Sequence, residues 1–165
     1  MPETPKFDFL PILRILSKHE VDFILVGGVA AAIQGAPVIT LDLHVLYSTA
    51  VSSLIRLLMA IEELDGCYRL QPENRLKPQL SHLVAGGDNL LLTRFGPLDL
   101  LGRIGNSRKY QDAGPHAIPI DIGQGLTVRV LDLETLIDVK EEAGGENDLA
   151  MLPVLRRTLE ESRRR

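Results

Sequence analysis

A short apolar run, Phe23 to Val26, passes directly into Gly27-Gly28 and then into a stretch of small residues, Val29 to Ile33. Four apolar residues of this branching suit a buried strand. The glycine pair permits a sharp turn, and the alanines that follow suit a helix packed tightly against a sheet. Gly35 and Pro37 punctuate that helix. A second strand is predicted over 40–45, Thr-Leu-Asp-Leu-His-Val. A side-chain period of two places Thr40, Asp42 and His44 on one face and Leu41, Leu43 and Val45 on the other. The unit is therefore strand, tight turn, helix, strand, with one polar face as the candidate site.

Gly27-Gly28 and, after thirteen intervening residues, Asp42-Leu43-His44 resemble the signature of the nucleotidyltransferase superfamily related to DNA polymerase beta. That signature is a glycine pair at a helix start followed by Asp-x-Asp on a strand. The closest resemblance is to the minimal, abortive-infection-type nucleotidyltransferases of bacterial toxin–antitoxin systems and their uncharacterised relatives. The segments 90–102 (LLLTRFGPLDLLG) and 128–161 resemble that subgroup as well. The resemblance implies one nucleotidyltransferase-like α/β domain over residues 1–165, with a mixed, largely antiparallel sheet flanked by helices.

It also implies a chemistry. In the family, two acids on one strand and a third on a neighbour hold Mg²⁺. Hard Mg²⁺ favours carboxylate and phosphate oxygens, and two ions about 3.5–4 Å apart clamp the attacking and leaving oxygens of a phosphoryl displacement. Asp42 matches the first acid, His44 stands in the place of the second, and Asp99 in GPLDLL matches the third. Imidazole suits Zn²⁺, Mn²⁺ or Ni²⁺ better than Mg²⁺. Three outcomes are therefore open: a silent site, a weaker site with one metal or a softer metal such as Mn²⁺, or a surface Asp42 with no ligand.

Gly27 and Gly28 are expected to hold phosphates, since glycine lets the backbone approach a polyphosphate closely; tight packing is the plainer alternative. The pattern does not fit a dinucleotide-binding fingerprint, which needs a third glycine. Lys140 matches a lysine that faces the nucleotide in the subgroup, but Gly145 and Asn147 stand where basic residues follow. The implied function is transfer of a nucleoside monophosphate from an NTP to a hydroxyl of RNA or protein. The alternative is an inactive module of the same fold that binds a partner protein or senses nucleotides.

A net charge of -4 excludes a general basic field for nucleic acid. The only cysteine, Cys67, rules out an internal disulfide and points to a reducing cytoplasm. The N-terminus lacks a signal-peptide pattern, and no apolar run is long enough to span a membrane.

The remaining chain predicts a helix over 7–19, another over 50–64 capped by Ser48 or Thr49 with Val51, Leu54, Ile55, Leu58 and Ile61 buried, and strands over 67–70, 80–85, 89–94 and 98–101. Residues 71–79 read as a polar loop. Two short strands, over 117–122 and 126–130, precede a helix capped by Asp132. A last helix over 147–162 turns Leu149, Leu152, Leu155 and Leu159 to one side. Arg94, Arg103, Arg108 and Lys109 are candidates for lining a site beside Asp99. His82 and His116 are isolated, and the basic C-terminus reads as a favourable helix end.

Overall fold

The computed structural model describes residues 8–165. The first residue of the helix predicted over 7–19, and most of the stretch read for a signal peptide, lie outside them.

The centre of the sheet is the run that dominates the sequence. Strand β1, Phe23–Val26, is buried along its whole length. It pairs antiparallel with β2, Leu43–Tyr47, and parallel with β7, Thr127–Leu131. Beyond β2 lie β5 (Gly96–Leu101), β4 (Asn89–Thr93) and β3 (Cys67–Tyr68); beyond β7 lies β6, Ala117–Asp121. The seven strands form one sheet in the order β3-β4-β5-β2-β1-β7-β6. Only β1–β7 and β2–β5 are parallel pairs, so the sheet is mixed and largely antiparallel, as expected.

Among the described residues, seven α-helices accompany it. Helix α2, Gly27–Ile33, leaves β1 without a linker and packs on β1 and β2. Ala30 and Ala31 are buried there, while Ala32 faces solvent. Helix α1, Leu10–Lys18, touches α3, Val51–Glu63, which in turn touches α4, Leu80–Val84. Helix α5, Tyr110–Ala113, is a single turn. Helix α6, Leu133–Ala143, begins at Asp132, whose carboxylate accepts from the Thr135 N–H at 2.8 Å. Gly144, in the left-handed conformation, ends α6, and α7, Glu146–Arg163, folds back along it. No helix of the described residues is long and apolar enough to cross a membrane.

Several expectations are corrected. Residues 80–84 form α4, not a strand: Leu80-Ser81-His82-Leu83-Val84 is too short to show a decisive period, and His82 Nδ1 accepts the Gln79 N–H at 3.0 Å, which starts a helix. The Ser48 hydroxyl accepts from the Ala50 N–H, but Ala50 itself is the cap of α3. The buried stripe of α3 is Ser53, Leu54, Leu57, Ala60 and Ile61; Val51 and Ile55 are exposed. Leu149 is likewise exposed on α7. Strand β2 starts at Leu43, so Thr40 and Asp42 belong to the loop entering it.

Candidate functional site

Strand register places the site. Val26 opposes His44, His44 opposes Asp99 and Asp99 opposes Leu90. The Arg69 N–H donates to the Leu90 carbonyl at 2.9 Å. Directly opposed residues share a face of the sheet, so Arg69, Leu90, Asp99 and His44 form one row across four neighbouring segments. His44 Nε2 lies 3.0 Å from Asp99 Oδ2, and Arg69 Nη1 lies 2.8 Å from Asp99 Oδ1.

Asp99 is 5% exposed. Burial by itself pushes its carboxyl up, because a charge loses solvent. The adjoining His44 and Arg69 outweigh burial and hold it below the usual carboxylate range. Its Oδ1 and the facing Arg69 Nη1 are close ion partners, yet their angles fall outside hydrogen-bond geometry, and neither atom has a hydrogen-bond partner among the described residues.

Asp42 completes the cluster from the loop before β2. The Thr40 hydroxyl donates to the Asp42 carbonyl at 3.0 Å and fixes this loop. One ligand atom each from Asp42, His44 and Asp99 lie within 4.8 Å of one another. Such spacing fits a single divalent cation. Neighbouring ligands of an octahedral ion with bonds of about 2.0–2.1 Å stand about 3 Å apart, which is the His44–Asp99 separation. Two carboxylates and an imidazole favour Mn²⁺ or Zn²⁺ over Mg²⁺.

Both glycines of the turn are required by packing. Gly27 has φ +73°, and a Cβ there would sit 3.1 Å from His44 Cβ and Nδ1. A Cβ on Gly28 would lie 2.9 Å from Thr40 Cβ. The glycine pair therefore lets α2 press against the two segments that carry Asp42 and His44.

A cavity of about 210 Å³ opens beside this turn, lined by Gly27, His44, Asp88, Arg103, Lys140 and Asp148 among others. Lys140 of α6 thus faces the same space as His44. Its ammonium donates to Asp148 Oδ1 at 3.1 Å.

Of the basic residues expected near Asp99, Arg103 lines this cavity. Arg94 instead lies over the Phe95 ring at 4.6 Å and donates to the Glu63 carbonyl. Arg108 grips Glu142, whose carboxylate it holds below the usual range. Lys109 lines a separate cavity with Tyr47 and Gly86. His82 and His116 do not join the cluster. The residue absent from the sequence-level site is Arg69. Nothing local announces it, since its partner becomes apparent only when β3, β4 and β5 are in register.

No family model matches the sequence, and no curated protein matches it. Among solved structures, the fold is similar to that of a candidate nucleotidyltransferase from Thermotoga maritima. The TM-score is 0.58 at 16% identity, and the match covers 97% of this chain and 98% of that one. The fold is that of a nucleotidyltransferase-like α/β protein.

Proposed function

We propose that the chain acts as one nucleotidyltransferase-like domain, of the abortive-infection type, that binds a nucleoside triphosphate with a divalent cation and transfers its nucleoside monophosphate to a hydroxyl of RNA or protein, with pyrophosphate as the leaving group. The observation that carries this reading is the convergence of Asp42, His44 and Asp99 beside the Gly27 turn. A divalent ion, Mg²⁺ or Mn²⁺, would be held by these three residues and would supply charge neutralisation for the triphosphate.

The chain's own groups have distinct tasks. Gly27 and Gly28 present bare backbone to the phosphates. Lys140 turns from Asp148 to the phosphate charge across the cavity. Asp42, at the mouth of β2, accepts the proton of the attacking hydroxyl. The reducing cytoplasm is the setting proposed for this activity.

A second reading has its own support. Asp99 is already engaged by His44 and Arg69, which suits a module that keeps the fold for binding and has given up transfer. Calorimetry with each of the four NTPs, with and without Mg²⁺ or Mn²⁺, followed by a labelled-nucleotide transfer assay, separates the two. Metal-dependent heats with transfer of label support the enzyme; heats without transfer support the binding module. Heats equal to buffer for every nucleotide remove both nucleotide readings.

A further inference from the structure

We propose that Arg69 is the site's resident cation: its guanidinium sits on the Asp99 carboxylate that a divalent ion needs, and so sets the metal affinity of the cluster. The inference rests on the metal-binding role proposed above and extends it to a residue outside the family's acidic motif.

Three observations carry it. Asp99 is nearly enclosed, and each of its oxygens faces one basic group: Oδ2 faces His44, and Oδ1 faces Arg69. The Arg69 contact is close but misdirected, so both facing atoms keep an unspent hydrogen-bonding capacity. A buried polar atom without a hydrogen bond is costly, and Arg69 is held at Oδ1 by charge alone and not by a directed bond. Finally, Arg69 follows directly on β3 and its side chain is 27% exposed. Its backbone is tied down by Leu90, and the side chain is part-exposed although Nη1 itself is buried.

A cation on Oδ2 beside His44 and a guanidinium on Oδ1 of the same carboxylate repel one another, so a divalent ion binds more weakly at Asp99 while Arg69 keeps its place. The unmodified chain therefore holds a metal more weakly than its three ligands alone would. A phosphate arriving with the ion gives the displaced guanidinium a new anion to fork.

The test uses Mn²⁺ alone as probe, with free ion counted by electron paramagnetic resonance, on the full chain and on Arg69→Gln. The expected result is affinity at least about ten-fold tighter in Arg69→Gln. The gain should vanish in Asp99→Asn/Arg69→Gln, because the double variant has lost the contested carboxylate. Unfolding midpoints supply a second readout. Arg69→Gln should melt lower than the unmodified chain without metal and should gain more from Mn²⁺. If Arg69→Gln fails to fold, Arg69→Lys, whose ammonium is compact and shorter in reach, should show a smaller gain in the same direction.

Unchanged or weaker Mn²⁺ affinity in the folded variant overturns the inference, as does a gain that persists without Asp99. The proposed function fails separately. NTP binding by the unmodified chain with no Mn²⁺ gain in Arg69→Gln removes only the role of Arg69. A Mn²⁺ gain in a chain that binds no nucleotide removes only the nucleotide reading.

Discussion

His44 and Asp99 stand opposite one another on the parallel strands β2 and β5, and their side chains meet at 3.0 Å. In the family that the motif resembles, two carboxylates would face each other here and require a cation between them. An imidazole in one of the two places relieves that repulsion without any ion. The His44–Asp99 pair is therefore held together with no ion between its members.

Gly27 sets the position of that imidazole. Replacing it with alanine combines a left-handed φ of +73° with a Cβ 3.1 Å from the His44 ring. The left-handed strain alone costs about 1–2 kcal/mol, and His44 must also shift. Gly27→Ala is expected to lower the urea midpoint accordingly and to move the His44 imidazole resonances in an NMR spectrum. A stable variant with unmoved His44 signals would show that the turn does not press on the site.

The alanine run of α2 offers a sharper packing test. Ala30 and Ala31 are buried, and Ala32 is exposed. Leucine at either buried position should overpack the contact with the sheet and cost about 1–3 kcal/mol. Ala32→Leu should leave the midpoint nearly unchanged. Equal effects at all three positions would contradict the orientation of the helix.

The legible parts of the chain were those whose geometry is local. Phe23 to Ile33 encodes strand, turn and helix in consecutive residues, and Asp42 and His44, two residues apart, converge although Asp42 lies in the loop before the strand. Asp99 could be named because GPLDLL resembles a motif. Arg69 could not, because its relation to Asp99 passes through the pairing of three strands with Leu90 in between. Helix α4 was misread for a different reason: Leu80-Ser81-His82-Leu83-Val84 fits either period, and a histidine side chain decides it. On α3, Val51 and Ile55 fit a helical stripe as well as Leu54 and Leu57 do, and the packing against α1 and α4 selects the latter face.

Tyr47 gives the fold an alkaline limit. Its hydroxyl donates to the Gly87 carbonyl at 2.8 Å, with the Leu83 carbonyl at 3.3 Å. Burial, and then the Asp88 carboxylate, push the phenol up to about 12. The unfolded chain releases this proton near pH 10, at about the ordinary tyrosine value, so the native state holds it more tightly. The resulting stability is fully present below pH 10 and is lost as pH rises through about 12. Tyr47→Phe removes this hydrogen bond, an effect of about 0.5–1.5 kcal/mol at neutral pH, since the Gly87 carbonyl keeps the Asn89 amide as a donor. Urea unfolding at stepped pH should show the wild-type advantage shrinking between pH 10 and about 12. An advantage that stayed constant there would place the Tyr47 phenol at its ordinary value.

His44→Asp separates an enzyme-derived site from a retained fold. The replacement puts a third carboxylate beside those of Asp42 and Asp99, in a cluster whose ligand atoms already lie within 4.8 Å of one another. It also removes the imidazole from Asp99 and leaves Arg69 as that residue's single basic neighbour among the described contacts. Without metal, three carboxylates share one guanidinium, and like charges at this range repel. The variant should therefore be less stable than the parent by about 1–3 kcal/mol, the scale of a lost partner for a buried polar group. Hard oxygen ligands favour Mg²⁺, and a ligand bound only by the native state raises the unfolding midpoint by mass action. Millimolar Mg²⁺ with NTP should thus restore or exceed the parent's midpoint in His44→Asp while leaving the parent little changed. New transfer of label from an NTP would follow if the histidine alone silences the site. If the variant's midpoint ignores Mg²⁺ at every concentration, Asp42 and Asp99 are not metal ligands, and the likeness ends with the fold.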